Sequence, residues 1–152
     1  MNKFGSVDEL LDFAVKNEEE AFQFYTDLAG KAEKPHMRQV FEELAREEVG
    51  HKAKLIGIKK GKLLMPAKQK IIDLKIADYL VDVEPDPKKL DYQGALILAM
   101  KNEKAAFKLY TDLAETTDDE ELSATLLAFA QEEAKHKLKL EIEYDEHVLT
   151  DN

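Results

Sequence analysis

Glu133-Ala134-Lys135-His136 repeats Glu48-Val49-Gly50-His51 at an offset of 85 residues, and Glu18 and Glu103 stand at the same offset. Six side chains able to ligate a metal therefore fall into two halves with one constant spacing. The repeat extends around them. Ala14–Gly30 matches Ala99–Glu115 at 11 of 17 positions, with Tyr-Thr-Asp-Leu-Ala in both, and Phe41–Leu55 matches Leu126–Leu140 at 7 of 15. Residues 31–40 match nowhere, as expected of a connection between two repeated elements.

The repeated stretches have helical period. Leu11, Ala14, Val15, Ala21, Phe22, Tyr25, Leu28 and Ala29 trace one face of a first helix, opened by Ser6 with Glu9 as a capping box and closed near Gly30. Pro35 suits the first turn of a second helix, which carries Met37, Phe41, Leu44, Leu55 and Ile58 and stops at Gly61. Asp91 can cap a third helix, with Leu96, Ala99, Met100, Ala106, Phe107, Tyr110, Leu113 and Ala114 on its face. Thr117 with Glu120 reads as the capping box of a fourth, running through Leu122, Leu126, Phe129 and Leu140 to about Val148. Between the halves, residues 62–90 include a stretch at 66–82 that suits one or two short helices and then Val83-Glu84-Pro85-Asp86-Pro87, where each proline disfavours helix before it. The expectation is a single all-α domain over residues 1–152: a four-helix bundle of two repeated hairpins, about 7–60 and 92–148, joined by a long crossover at about 62–90.

Phase turns the repeat into a site. The second helix places apolar residues at 37, 41, 44, 55 and 58, and Glu48 and His51 fill the two slots left in that heptad series. The fourth repeats it, with Glu133 and His136 between Phe129 and Leu140, while Glu18 and Glu103 lie on the apolar stripes of the first and third. All six should face the bundle axis. Four buried carboxylates cannot all ionise unaided, but two divalent cations offset four negative charges and leave two neutral imidazoles as donors. Oxygen and nitrogen donors in that number suit two iron or manganese ions rather than one closed tetrahedral zinc. Glu47 and Glu132 sit off the stripe and read as solvated; His36 and His147 read as exposed. Tyr25 and Tyr110 share the face of Glu18 and Glu103, as core aromatics whose hydroxyls can reach ligand carboxylates. Gly57–Lys62 has the wrong spacing for a phosphate loop, and no Ser or Thr follows the lysine.

Composition narrows the classes. With 44% apolar and 36% charged residues the chain is globular, and with no cysteine it holds no disulfide, thiolate zinc or cysteine-bound iron–sulfur centre of its own. A formal net charge of −10 disfavours nucleic acid and anionic membranes as partners. No secretory signal is visible near Met1, and no uncharged run, Tyr92–Met100 included, is long enough to span a bilayer, so the expected location is the cytoplasm.

In Asn17-Glu18-x-x-Ala21-x-x-x-Tyr25, its copy at Asn102–Tyr110 and the two Glu-x-x-His motifs, the chain resembles the ferritin-like superfamily and, within it, the rubrerythrin-like di-iron proteins. The resemblance implies a ferritin-like fold, two iron ions (with manganese or zinc as substitutes), Glu18 and Glu103 as terminal ligands, Glu48 and Glu133 as bridges, and His51 and His136 one on each metal. It implies an oxidoreductase whose reactive centre is that carboxylate cluster, reacting with hydrogen peroxide or dioxygen in protection against oxidative stress. A separate rubredoxin-like protein would supply electrons, and a homodimer is expected. Three departures stand out: there is no four-cysteine module, Ala106 replaces an extra carboxylate, and His136 replaces a glutamate. The ligand set is nearer that of bacterioferritin, yet Val49 stands where bacterioferritins carry a haem-ligating methionine, so no haem is expected. A ferroxidase or storage-like iron-handling protein and a non-catalytic metal-binding bundle are the alternatives.

Overall fold

Helix boundaries follow the chemistry of the chain ends in a computed structural model that describes residues 6–61, Tyr79 and 91–151. Helix α1 spans Val7–Lys31, α2 Pro35–Lys60, α3 Tyr92–Glu115 and α4 Glu120–Asp151, with no strand among the described residues. The Ser6 hydroxyl accepts the Glu9 N–H at 3.1 Å, and the Asp91 carboxylate accepts the Gly94 N–H at 2.7 Å, so both expected caps form. Pro35 is the first residue of α2 and Gly61 follows its last. The expected crossover at 62–90 lies outside the described residues, apart from Tyr79.

Two ends differ from expectation. Helix α1 passes through Gly30 to Lys31 and closes with the Ala32 N–H on the Leu28 carbonyl at 3.0 Å. Gly30 stays helical; the chain leaves the helix at Ala32, already in extended backbone, and Lys34 before Pro35 is extended as well. At α4 the cap is Asp119, not Thr117: its carboxylate accepts the N–H groups of Glu121 (3.0 Å) and Leu122 (3.1 Å), while the Thr117 hydroxyl accepts the Asp119 N–H. An ionised carboxylate is the stronger acceptor at a helix N-terminus.

Helix α1 packs along α2 and α3 along α4, while the backbones of the two hairpins stand further apart. Side chains fill the space between them. Leu11, Leu55, Leu113, Leu126 and Phe129 belong to one apolar cluster, and Leu28, Phe41, Leu44, Leu96 and Leu140 to the other. The offset of 85 exchanges them, Leu11 with Leu96 and Leu126 with Phe41, so a pseudo-twofold axis crosses the bundle between its ends. In the layer between the clusters lie the six repeated Glu and His residues, each at most 3% exposed.

Phe22 and Phe107, expected on the apolar stripes, are 39% and 43% exposed. At 3.6 residues per turn a residue four beyond Glu18 has rotated about 40° past it, whereas Tyr25, seven beyond, returns to within about 20° and is buried. The symmetry also breaks at Ile58, whose counterpart is the buried Glu143. Tyr92 donates to Glu143 Oε2 at 2.6 Å, and its hydroxyl pKa is pushed up by burial and then by that carboxylate. His147, expected exposed, is half-buried: α4 runs beyond it, and its ring meets Tyr92 edge-on at 5.0 Å.

Candidate metal centre

Each half of the layer is built from both hairpins. Ligand atoms of Glu18, Glu48, His51 and Glu133 lie within 4.8 Å of one another, and so do those of Glu48, Glu103, Glu133 and His136. The two groups share Glu48 and Glu133, while each keeps one glutamate and one histidine to itself. The structure thus brings together all six residues singled out by the repeat, with two glutamates in the central, shared position.

The histidines aim Nδ1 at this cluster. In His51 it lies 3.2 Å from Glu133, 3.5 Å from Glu48 and 3.6 Å from Glu18; in His136 it lies 3.6 Å from Glu48 and Glu103 and 3.7 Å from Glu133. None of these approaches is aligned as a hydrogen bond. Among the described residues, Glu18 Oε2, Glu48 Oε1, His51 Nδ1, Glu103 Oε2, Glu133 Oε1 and His136 Nδ1 are buried without a partner, one atom from each of the six. Native interiors rarely leave one such atom, and leaving it costs about 1–3 kcal/mol. Six converging orphans, four oxygens and two imidazole nitrogens, are a donor set that fits a pair of divalent transition-metal ions.

The outward nitrogens are held across the bundle. His51 Nε2 bonds the Glu132 carboxylate of the opposite hairpin, and His136 Nε2 bonds that of Glu47. This corrects the reading of Glu47 and Glu132 as merely solvated. Their side chains are 48% and 47% exposed, yet each reaches back over its neighbour to a buried ring. A proton on Nε2 leaves the Nδ1 lone pair facing the cluster, which is the tautomer a metal needs. The signal was present: Glu47 and Glu132 also stand at the offset of 85.

The tyrosines make a second crossed pair, Tyr25 donating to Glu103 Oε1 and Tyr110 to Glu18 Oε1. Burial, and then the nearby carboxylates, hold both hydroxyls well above the usual tyrosine pKa, so they remain donors. Desolvation, and then their mutual repulsion with neighbouring carboxylates, raise Glu48 and Glu133 well above the usual glutamate range. Burial works to lower His51, but the Glu18, Glu132 and Glu48 carboxylates push it up to about 9. Without cations Glu48, Glu133, His51 and His136 are all pushed toward their protonated forms.

The sequence matches the Rubrerythrin family over residues 9–141. Among solved structures, a hypothetical protein from Pyrococcus furiosus superposes with a TM-score of 0.72 at 25% identity, over 93% of this chain and 90% of that one. A protein from Thermotoga maritima, described as a candidate ferritin-like diiron-carboxylate protein, superposes at 0.76 with 22% identity, over 97% of this chain and 99% of that one. No curated protein matches the sequence. No described helix is long and apolar enough to cross a membrane.

Proposed function

The chain belongs to the rubrerythrin family, and from that premise we propose that it binds two iron ions between its hairpins and reduces hydrogen peroxide or dioxygen. The observation that carries the reading is the set of six converging, partnerless buried atoms, one from each repeated Glu or His. Glu18 and His51 would serve one ion, Glu103 and His136 the other, and Glu48 and Glu133 both.

The chemistry the ions supply when bound is a two-electron reduction, one peroxide with two protons and two electrons giving two waters, one electron from each ferrous ion. The protein's part is to hold the donors and manage protons. Tyr25 and Tyr110 keep a proton against Glu103 and Glu18, restraining the outer carboxylates from the side away from their free oxygens. Glu132 and Glu47 hold the histidine rings. The apolar clusters cover the layer from its two ends. A donor outside these 152 residues, which contain no cysteine, would return the ions to the ferrous state, and a rubredoxin-like protein is the donor proposed.

Anaerobic loading with ferrous ion, metal analysis and stopped-flow mixing with peroxide test the proposal. Two irons per chain and oxidation faster than that of free ferrous ion are expected. Fewer than two irons, or oxidation at the free-ion rate, refutes it.

A further inference from the structure

Between α1 and α3 a cleft of about 500 Å³, a volume that includes the space among the carboxylates, runs down to Glu18, Glu48, Glu103 and Glu133. Dioxygen and peroxide need little more room than one water, roughly 30 Å³. A space of this size falls instead within the ~300–1,000 Å³ of sites that enclose organic ligands. We propose that the cleft binds a neutral organic molecule with an apolar body, held against the carboxylate layer. The binding claim stands on the cleft alone; that the bound molecule meets a metal pair rests on the reading above.

The lining argues for that class. Leu98, Ala105 and Leu109 make the α3 wall apolar, and Phe24 faces them from α1. Ala21 and Ala106, matched at the offset of 85, are small on opposite sides, which leaves the approach to Glu18 and Glu103 open. The rim on α1 carries Glu20, Gln23 and Asp27, so an anion meets negative charge at the mouth and carboxylates at the floor. A cation would find acids at the rim and the amides of Asn17 and Asn102 further in, but most of the wall is apolar, and a metal-filled floor has its charge offset. Tyr79 also lines the cleft, its hydroxyl on Asp112 Oδ2 at 2.8 Å and its ring 5.2 Å from Lys108 Nζ.

The probe is N-phenyl-1-naphthylamine, neutral and fluorescent in apolar surroundings, displaced by 1-octanol, octanoate or octylamine. The full chain is studied with and without ferrous ion under argon. Saturable binding, displacement by 1-octanol but by neither charged compound, and at least tenfold weaker binding in Ala106→Phe with helix content retained would bear the proposal out. Ala21→Leu repeats the test from the other wall with a smaller change, should Ala106→Phe lose helix content. Absence of saturable binding overturns it. So does unchanged binding in both variants, or better displacement by octanoate or octylamine. Iron per chain is measured on the same samples. Probe binding with fewer than two irons sinks the di-iron reading and leaves the cleft standing, and two irons without probe binding does the reverse.

Discussion

Glu133→Met should stabilise the protein when metal is absent and weaken it when metal is present. Glu133 is 1% exposed, one of its oxygens has no partner, and desolvation already drives its carboxyl toward the protonated form. Methionine has nearly the same volume and asks for no hydrogen bond. Removing a buried carboxyl that leaves a polar atom unsatisfied should relieve about 1–3 kcal/mol, the cost of such an orphan. At about 2 kcal/mol, and roughly 2–4 °C per kcal/mol for a chain of this length, the midpoint in EDTA should rise by about 4–8 °C. The charge balance permits this: with both histidines protonated, two ionised carboxylates suffice, and three glutamates remain in the layer. Ferrous ion should reverse the ranking. Each occupied site adds about 2.7 kcal/mol to the wild type at 100 times its dissociation constant, and the variant loses a carboxylate shared by both. Thermal melts by circular dichroism, in EDTA and in anaerobic ferrous solution, read both effects. Leu126→Ala, at a core position 1% exposed, is the control for lost packing and should cost about 2–5 kcal/mol in either buffer. If Glu133→Met falls in EDTA by as much as that control, the carboxylate is part of the fold's own support, and the argument from orphaned atoms fails.

Four further outcomes are expected. Glu132→Ala and Glu47→Ala should each weaken metal binding about 10- to 100-fold by freeing the ring of the opposite hairpin's histidine, as titration calorimetry with zinc can measure. Tyr25→Phe leaves Glu103 Oε1 without its donor and should lower metal-free stability by about 1–3 kcal/mol in urea unfolding. The metal-free protein should lose stability as pH rises from about 6.5 to about 9, because His51 is raised above its unfolded value of 6.5 to about 9, and its contribution, complete below 6.5, disappears through that window. Glu48 and Glu133, also raised, act in the same direction, and urea midpoints across pH check the slope. Asp119→Ala should cost about 1 kcal/mol by uncapping α4, while Thr117→Ala costs less, since only Asp119 reaches the helix's own free N–H groups.

The repeat made most of the architecture readable, because residues matched at one offset have to occupy equivalent places. Glu48, His51, Glu133 and His136 could be placed on the inner face from heptad phase alone, and they are buried there. What phase could not supply was the partner across the gap. Glu132 lies about 100° around the helix from Glu133, and no property of α4 by itself shows that its carboxylate will meet a ring from α2. The same limit hid the crossing of Tyr25 with Glu103 and Tyr110 with Glu18, which depends on how the hairpins face each other. Phe22 and Phe107 were misplaced for a simpler reason: a stripe drawn by residue type includes them, while the helical angle carries them past its edge. Glu143 carries no repeat signal, because the residue at the offset of 85 is Ile58.

The crossed bonds also bear on ancestry. Each group of four draws three residues from one hairpin and one from the other, and each histidine takes its outer bond from the opposite hairpin. A lone hairpin would hold an incomplete site with its ring unanchored, whereas two identical hairpins facing each other would complete both sites at once. A duplicated and fused gene for a self-pairing hairpin is the simplest origin for such an arrangement. The fused halves were then free to diverge wherever the pairing did not constrain them, and Ile58 and Glu143 record that freedom.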